Sequence, residues 1–389
     1  MTWTPAPVRV AHVVHWLWHG GAERRLLSLL GSLDRARYEP LIVCIDDLGE
    51  LSVEARDLGF EPVLLGRSSR RDLGIVARLA RLFAREHISI AHGWLPLPSV
   101  IARAAAVIAR VPVKIYAESQ TLPTPDPARA RRNALLERVL APVTDAYLVN
   151  SQAVAAKMRD ELRANPEKIA VIPNGVAVPE PIGRKRRDAL RAELGAGGDD
   201  VLIGMTARLD PRYKDHRTFL RAATILAAEG RPVRVALVGD GSDRSALEAL
   251  VSELSMGGRV TFAGFRRDAA QLCQAFDVSA LLSHHEGFSG AILESMAART
   301  PLVASAIPPN REAVENEVHG LLVAPDDERA AASAIGRLLD DPALAERLAA
   351  AARERVIGHY SLEAQAEATM RLYDRLLKAP RLVPASGVR

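Results

Sequence analysis

Short apolar runs rich in valine, isoleucine and leucine alternate with segments of helical period along almost the whole chain, and this alternation leaves few architectures open. VRVAHVV (8–14) leads through a glycine pair into AERRLLSLLGSL (22–33). EPLIVCID (39–46), EPVLLG (61–66), ISIAHGW (88–94), VKIYAES (113–119), DAYLVNS (145–151) and IAVIPNGV (169–176) follow, with helix-like segments between them. Runs this short and this apolar read as strands buried on both faces. With helices as the crossovers, the pattern predicts a parallel sheet covered on both sides.

The alternation stops at PEPIGRKRRDALRAELGAGGDD (179–200), whose charge, proline and glycine read as a linker around a short helix. It then resumes with VLIGMTA (201–207), VRVALVGDG (233–241), RVTFAGF (259–265), VSALLSH (278–284), PLVASA (301–306) and GLLVAP (320–325). An alanine-rich helical stretch from Pro342 to Lys378 closes the series. The expected fold class is therefore α/β, with two Rossmann-like domains. The expected boundaries are 1–178 for the first domain, 179–199 for the linker and 200–360 for the second domain. A helix at 361–378 and a flexible tail at 379–389 follow. A chain of 389 residues can build two such cores. Ligands in these sheets bind beyond the carboxyl ends of the strands, so the cleft between the halves is where a site belongs.

Composition excludes several classes. Hydrophobic residues at 48% and charged residues at 25% are ordinary for a soluble protein. Cys44 and Cys273 lie far apart and form neither a disulfide framework nor a zinc-ligand spacing, which fits a reducing compartment. The longest apolar region, Trp94 to Val113, is cut by Arg103, Arg110 and prolines and does not read as a membrane span. The opening MTWTPAPVRV lacks a signal-peptide core. A cytoplasmic location is expected.

The net charge of +4 is concentrated in the first half. There Arg67, Arg70, Arg71, Arg78, Arg81 and Arg85 surround a helix whose Leu73, Ile75, Val76, Leu79, Leu82 and Phe83 read as its core side. A solvated helix face accounts for the arginines, and so does a patch for an anionic membrane surface or an anionic acceptor. Nucleic acid is not expected, since no aromatic interleaving accompanies them.

Several strand ends carry candidate groups. Gly20 and Gly21 in HGGAE, from His19 to Glu23, open a helix and serve either a tight turn or a phosphate. Arg208 and Lys214 in ARLDPRYK suit a diphosphate that gains charge on leaving, or stand solvated. Gly239 and Gly241 in VGDGS allow close approach, and Phe265 after Gly264 adjoins a pocket fit for a base. His92 in IAHGW sits towards a strand end, where a structural hydrogen bond would also explain it. His284 and His285, adjacent on a strand, point to opposite faces and do not suggest a metal. Asp46 and Asp47 read as a turn. Neither a Gly-x-Ser-x-Gly elbow nor a Walker lysine loop is present.

The stretch EGFSGAILE (286–294) sets Glu286 and Glu294 around an apolar, glycine-dotted middle. Gly287 and Gly290 argue against one unbroken helix. Glu286 is expected at the end of a strand, with a helix starting near Ser289 and Glu294 in its second turn. That makes one pocket with two carboxylates and free helix N–H groups between them.

Together these segments resemble the family 4 retaining glycosyltransferases of GT-B fold. The resemblance runs through GGAER, HGW, VNSQAV, VIPNGV, ARLDPRYKDH, LVGDG, VTFAGF, HEGFSGAILESMA and PLVAS, nearly the whole chain. It implies two domains across a cleft and a final helix that returns to the first. It also implies a nucleotide diphosphate sugar as co-substrate, UDP-linked before GDP-mannose, and a glycan, lipid-linked or small acceptor. By resemblance Glu286 contacts the donor sugar and Glu294 the ribose. The backbone of Phe288, Ser289 and Gly290 meets the diphosphate, which Arg208 and Lys214 neutralise without a metal or other cofactor. Gly20 and Gly21 touch the donor or acceptor from the opposite domain, His92 lies by the reacting sugar, and Asn150 and Ser151 line the cleft. Gly290, Arg299, Pro308 and Pro309 depart from the family pattern near the donor site. Competing readings are a GT-B epimerase, a non-catalytic nucleotide-sugar sensor and a dinucleotide oxidoreductase, the last lacking its G-x-G-x-x-G.

Overall fold

A computed structural model describes residues 6–18, 20–69, 72–121 and 127–379, with backbone alone at 127–130. His19, Arg70, Arg71, the prolines at 123 and 125, and the tail from 380 onward lie outside the described residues. The first domain holds seven strands, β1 (Val8–Val14), β2 (Tyr38–Cys44), β3 (Val63–Leu64), β4 (Ile90–Trp94), β5 (Val113–Glu118), β6 (Ala146–Val149) and β7 (Ile169–Val171). Its helices are α1 (Gly21–Ser32), α2 (Ser52–Asp57), α3 (Gly74–Arg85), α4 (Pro96–Ile108), α5 (Pro127–Leu140) and α6 (Gln152–Asp160).

The second half opens with α7 (Arg184–Glu193). Strands β8 (Val201–Thr206), β9 (Val233–Val238), β10 (Val260–Gly264), β11 (Val278–Leu281), β12 (Leu302–Ser305) and β13 (Leu321–Val323) follow. They are interleaved with α8 (His216–Ala228), α9 (Arg244–Glu253), α10 (Ala269–Cys273), α11 (Gly290–Ala297), α12 (Pro308–Ala313) and α13 (Glu328–Asp340). Two helices, α14 (Pro342–His359) and α15 (Leu362–Lys378), complete the chain.

The first sheet runs β3-β2-β1-β4-β5-β6-β7 and the second β10-β9-β8-β11-β12-β13. Every pairing within them is parallel. Each order reverses beside its first strand, between β1 and β4 and between β8 and β11, where crossovers to opposite faces leave a crevice. The central strands are buried on both faces, as β4 and β6 are along their whole length. Their continuous apolar runs follow from that burial.

Two details differ from the sequence reading. The 179–200 segment is no bare linker, because α7 packs Leu190 and Leu194 into an apolar cluster with Leu202, Ala236 and Phe276 of the second domain. Arg187 and Arg191 of α7 both pair with Asp277. Leu73, read as core, is 86% exposed, because it precedes α3 as its N-cap residue.

The alanine-rich end is two helices. The break at Tyr360 and Ser361 is where the chain crosses back: Val176 N donates to Tyr360 O at 2.9 Å, and Ser361 caps α15. Helix α15 then packs on the first domain. Tyr373 is fully buried there, Tyr38 Oη donates to Asp374 at 2.5 Å, and Arg37 pairs with the same carboxylate at 2.6 Å. No helix among the described residues is long and apolar enough to cross a membrane.

Candidate active site in the interdomain cleft

The loop after β8 and the loop after β11 are tied together at the mouth of the second sheet. Lys214 bridges to Ser283, and Asp215 N donates to Leu282 O at 3.0 Å. This pairing brings Lys214 Nζ onto Glu286 Oε1, which also accepts from Ser283 Oγ at 2.8 Å. Both charged side chains are nearly enclosed, 12% and 11% exposed. The contact fixes one edge of the Glu286 carboxylate and leaves its second oxygen without a bonded partner among the described residues. Glu286 itself lies five residues beyond β11, in the loop and not at the strand's last residue.

Helix α11 starts where the sequence places it. Ser289 is its N-cap, accepting from Ile292 N, and Glu294 falls in the second turn. Among the described residues no hydrogen bond occupies the N–H groups of Phe288 and Ser289. With the helix N-terminus they form a patch of positive potential. The Glu294 carboxylate accepts no hydrogen bond among the described residues; burial pushes it above the ordinary range, while Arg24 and Lys214 pull it back.

Arg208 is exposed on the loop after β8 and faces Glu23 of α1. Burial raises the Glu23 carboxyl, against the backbone at its helix start and the field of Arg208. The next residue, Arg24, lays its guanidinium 4.7 Å from the ring centre of Phe265, which closes the far side of the cleft. So α1 of the first domain reaches Arg208, Phe265 and Glu294 of the second. Gly20 is the N-cap of α1, and a Cβ there would meet the Glu23 carboxylate at 2.2 Å, whereas Gly21 is open. The sequence pointed to the glycines and missed Arg24; the adjoining GGAER segment was the only signal.

Three further contacts hold the 286–288 loop against the first domain. Thr121 Oγ1 donates to Glu286 O at 2.6 Å, and Asn174 Nδ2 donates to Phe288 O at 2.7 Å. A Cβ on Gly287 would stand 1.8 Å from Ser119 O, so only glycine permits this approach. Thr121 and Asn174 carried no sequence signal for this role.

Other expected residues are placed elsewhere. His92 is the middle residue of β4, fully buried, stacked on Trp94 with Nδ1 2.8 Å from Tyr373 Oη. Burial, with His12 and Arg25 nearby, holds it neutral. The Ser151 hydroxyl is buried and caps α6 through Val154 N at 3.1 Å. Asn150 is buried beside Gly287, with Oδ1 lacking a partner among the described residues. Gly239 and Gly241 approach the main chain of Ala207 and Leu209 within 2.1 and 2.3 Å of an added Cβ. Their freedom thus serves the Arg208 loop. The Phe288 ring turns into the second core, and Gly290 has open space around it.

Asp215, His284 and Asp326 place one ligand atom each within 4.8 Å of one another, the set best able to hold a cation among the described residues. Asp215 already caps α8 through Thr218 N, and His284 lies in the loop beyond β11, 3.6 Å from Asp326. The arginines around α3 are largely engaged: Arg67 grips Asp46 through two bonds, Arg78 holds Asp72 and Arg85 holds Glu86.

Two parallel-sheet domains that meet over a cationic, carboxylate-bearing cleft, with the last helix returned to the first domain, define the GT-B class. Two family models agree in sequence: "Glycosyltransferase Family 4" matches residues 19–178 and "Glycosyl transferases group 1" matches 186–355. The chain belongs to the family 4 glycosyltransferases.

Among its relatives is the D-inositol 3-phosphate glycosyltransferase of Stackebrandtia nassauensis, 32% identical over 265 residues, 64% of this chain and 59% of the relative. The lipopolysaccharide core biosynthesis glycosyltransferase LpsE of Rhizobium meliloti is 32% identical over 182 residues, 47% of this chain and 52% of LpsE. The alignments thus span little more than half the length of these relatives. In three dimensions the chain resembles Anabaena Alr3699/HepE, solved in complex with UDP and glucose, with a TM-score of 0.83 at 22% identity over 94% of this chain and 99% of that one. WaaG, a glycosyltransferase involved in lipopolysaccharide biosynthesis, gives 0.73 at 18% identity over 93% and 99%.

Proposed function

We propose that this glycosyltransferase moves a hexose from a nucleoside diphosphate sugar, UDP-linked in preference to GDP-linked, to a hydroxyl acceptor with retention of anomeric configuration. The supporting observation is the enclosed Lys214–Glu286 pair beside the open N-terminus of α11. In this reading the diphosphate lies over the N–H groups of Phe288, Ser289 and Gly290. Arg208 turns from Glu23 towards it, and Lys214 supports the departing charge. Glu286 accepts hydrogen bonds from the sugar's hydroxyls, and Glu294 holds a vicinal diol of the ribose through its two oxygens. Arg24 and Phe265 then flank the base. The leaving diphosphate is neutralised by side chains and main chain alone, and the reaction needs no metal or other cofactor.

In this reading the acceptor attacks on the face from which the diphosphate leaves. UDP complexes of HepE support the preference for a UDP donor. Relatives named for inositol phosphate and lipopolysaccharide core support a glycoconjugate acceptor, lipid-linked or small, handled in the cytoplasm or at its membrane face. The testing experiment is calorimetry with UDP and GDP followed by donor hydrolysis, in the wild type and Glu286→Ala. Expected is UDP binding in both with turnover only in the wild type. Full turnover in Glu286→Ala removes the role given to that carboxylate.

A further inference from the structure

Trp16 and Trp18, two of the chain's four tryptophans, stand 41% and 43% exposed on the loop between β1 and α1. Leu17 between them is fully buried, so the two indoles share the outward side of the loop. The loop is firmly held. Leu17 N donates to Leu48 O at 3.1 Å, Leu51 N to Leu17 O at 2.8 Å and Asp46 N to His15 O at 2.9 Å. Gly49 lies so close beneath that a Cβ would be 2.4 Å from the Leu17 carbonyl carbon. Trp18 Nε1 donates to Asp47 Oδ2 at 3.1 Å, and the His15 ring lies 5.2 Å from that of Trp16. Core packing anchors Leu17 and does not account for the rings on either side of it.

The platform borders the donor site. Trp18 is two residues from Gly20, at most about 7.6 Å between Cα atoms. Its rim is acidic as well as polar among the described residues: Asp47 is exposed there, and Arg67 is already bonded twice to Asp46. That rim repels an anionic acceptor. A pyranose ring has the complementary form, with an apolar C–H face for the electron-rich face of an indole and hydroxyls around the edge for carboxylate oxygens.

We propose that Trp16 and Trp18 form the acceptor subsite, and that the acceptor is a neutral sugar stacked on them by its C–H face. The proposal rests on the glycosyl-transfer reading above and names the substrate that reading leaves open. A test uses the full chain saturated with UDP, into which methyl glycosides of gluco, galacto and manno configuration, maltose and cellobiose are titrated while tryptophan fluorescence is followed. At least one sugar should give a saturable change. Its affinity should fall roughly five- to tenfold in Trp16→Ala or Trp18→Ala, and return in Trp16→Phe and Trp18→Phe. Leu135→Ser, at an exposed site on α5, serves as a control and should leave that affinity unchanged.

UDP binding with no tryptophan-dependent response to any sugar overturns the subsite and leaves the transfer reading standing. Failure of UDP to bind at all overturns the transfer reading first. Tighter binding of glycerol 3-phosphate than of any sugar, loss of sedimentation with anionic vesicles in the alanine variants, or loss of a dimer in them would each assign the platform elsewhere and overturn the proposal.

Discussion

Thr121 Oγ1, on the loop after β5, donates a 2.6 Å hydrogen bond to the main-chain carbonyl of Glu286, on the loop after β11. The bond joins the two domains at the residue whose carboxylate Lys214 holds. Closing the cleft and setting Glu286 in place are therefore one event. Thr121→Ala should lower kcat by about two- to tenfold, the effect of one lost hydrogen bond, with UDP affinity within twofold. Thr121→Ser should restore the rate. Steady-state kinetics beside calorimetry checks this, and an equal loss in both quantities would count against the coupling.

Gly287→Ala tests the same contact by volume. The added methyl would overlap Ser119 O, a main-chain atom that has little room to retreat. Activity should drop at least roughly a hundredfold, as expected when closure is blocked. Small-angle scattering should report a more open particle, with the melting profile of each domain little altered.

Arg208→Ala removes an exposed cation with no bonded partner among the described residues. UDP affinity should weaken on the order of tenfold, as for loss of a charge-assisted contact. Its dependence on salt should also flatten, because a screened attraction has been deleted. Titrations at several ionic strengths measure both.

His216 is buried at the start of α8 with neither ring nitrogen bonded among the described residues, and burial lowers its pKa to about 3 from 6.5. The unfolded chain binds the proton first as pH falls, so this group's contribution is intact above pH ~6.5 and is lost progressively from there towards pH ~3. His216→Phe should remove a slope of up to about 1.4 kcal/mol per pH unit in that window. Denaturant unfolding of the second domain at pH 7 and pH 5 tests the sign. A larger acid sensitivity in the variant would refute it.

Arg103 is fully buried in α4 and pairs with the equally enclosed Glu137 at 2.7 Å, with Thr144 as a further acceptor. Arg103→Met leaves that carboxylate without its cation and should cost roughly 3–5 kcal/mol. Arg103→Met with Glu137→Leu should recover most of it. Equilibrium unfolding of both variants decides.

Much of this architecture was legible because parallel strands buried on both faces cannot hide their composition: β1, β4, β8 and β9 each fall inside an apolar run read from the sequence. The start of α11 was equally plain, since Ser289 is a capping residue set before an apolar helix. The helix at 184–193 was expected within the linker, but its packing on the second domain was not legible, because arginines outnumber its apolar residues and only the spacing of Leu190 and Leu194 betrays its buried side. The surroundings of His92 were not legible, because a residue's place in a strand does not reveal what covers it, here Tyr373 from 281 residues away. Arg24, Thr121 and Asn174 act across the cleft, and no local pattern encodes which loop of one domain will face which loop of the other.

The returning helix α15 also fixes an order of assembly. Ala366, Leu372 and Tyr373 belong to the same apolar cluster as Val10, Leu26 and Ile90, so the half translated first lacks part of its interior until residues near 378 have been made. The second half, whose own cluster runs from Ile203 to Tyr360, has every residue it needs earlier. On the ribosome the later-encoded domain can become native first, and its partner waits, with an apolar groove uncovered, for the final turns of the chain.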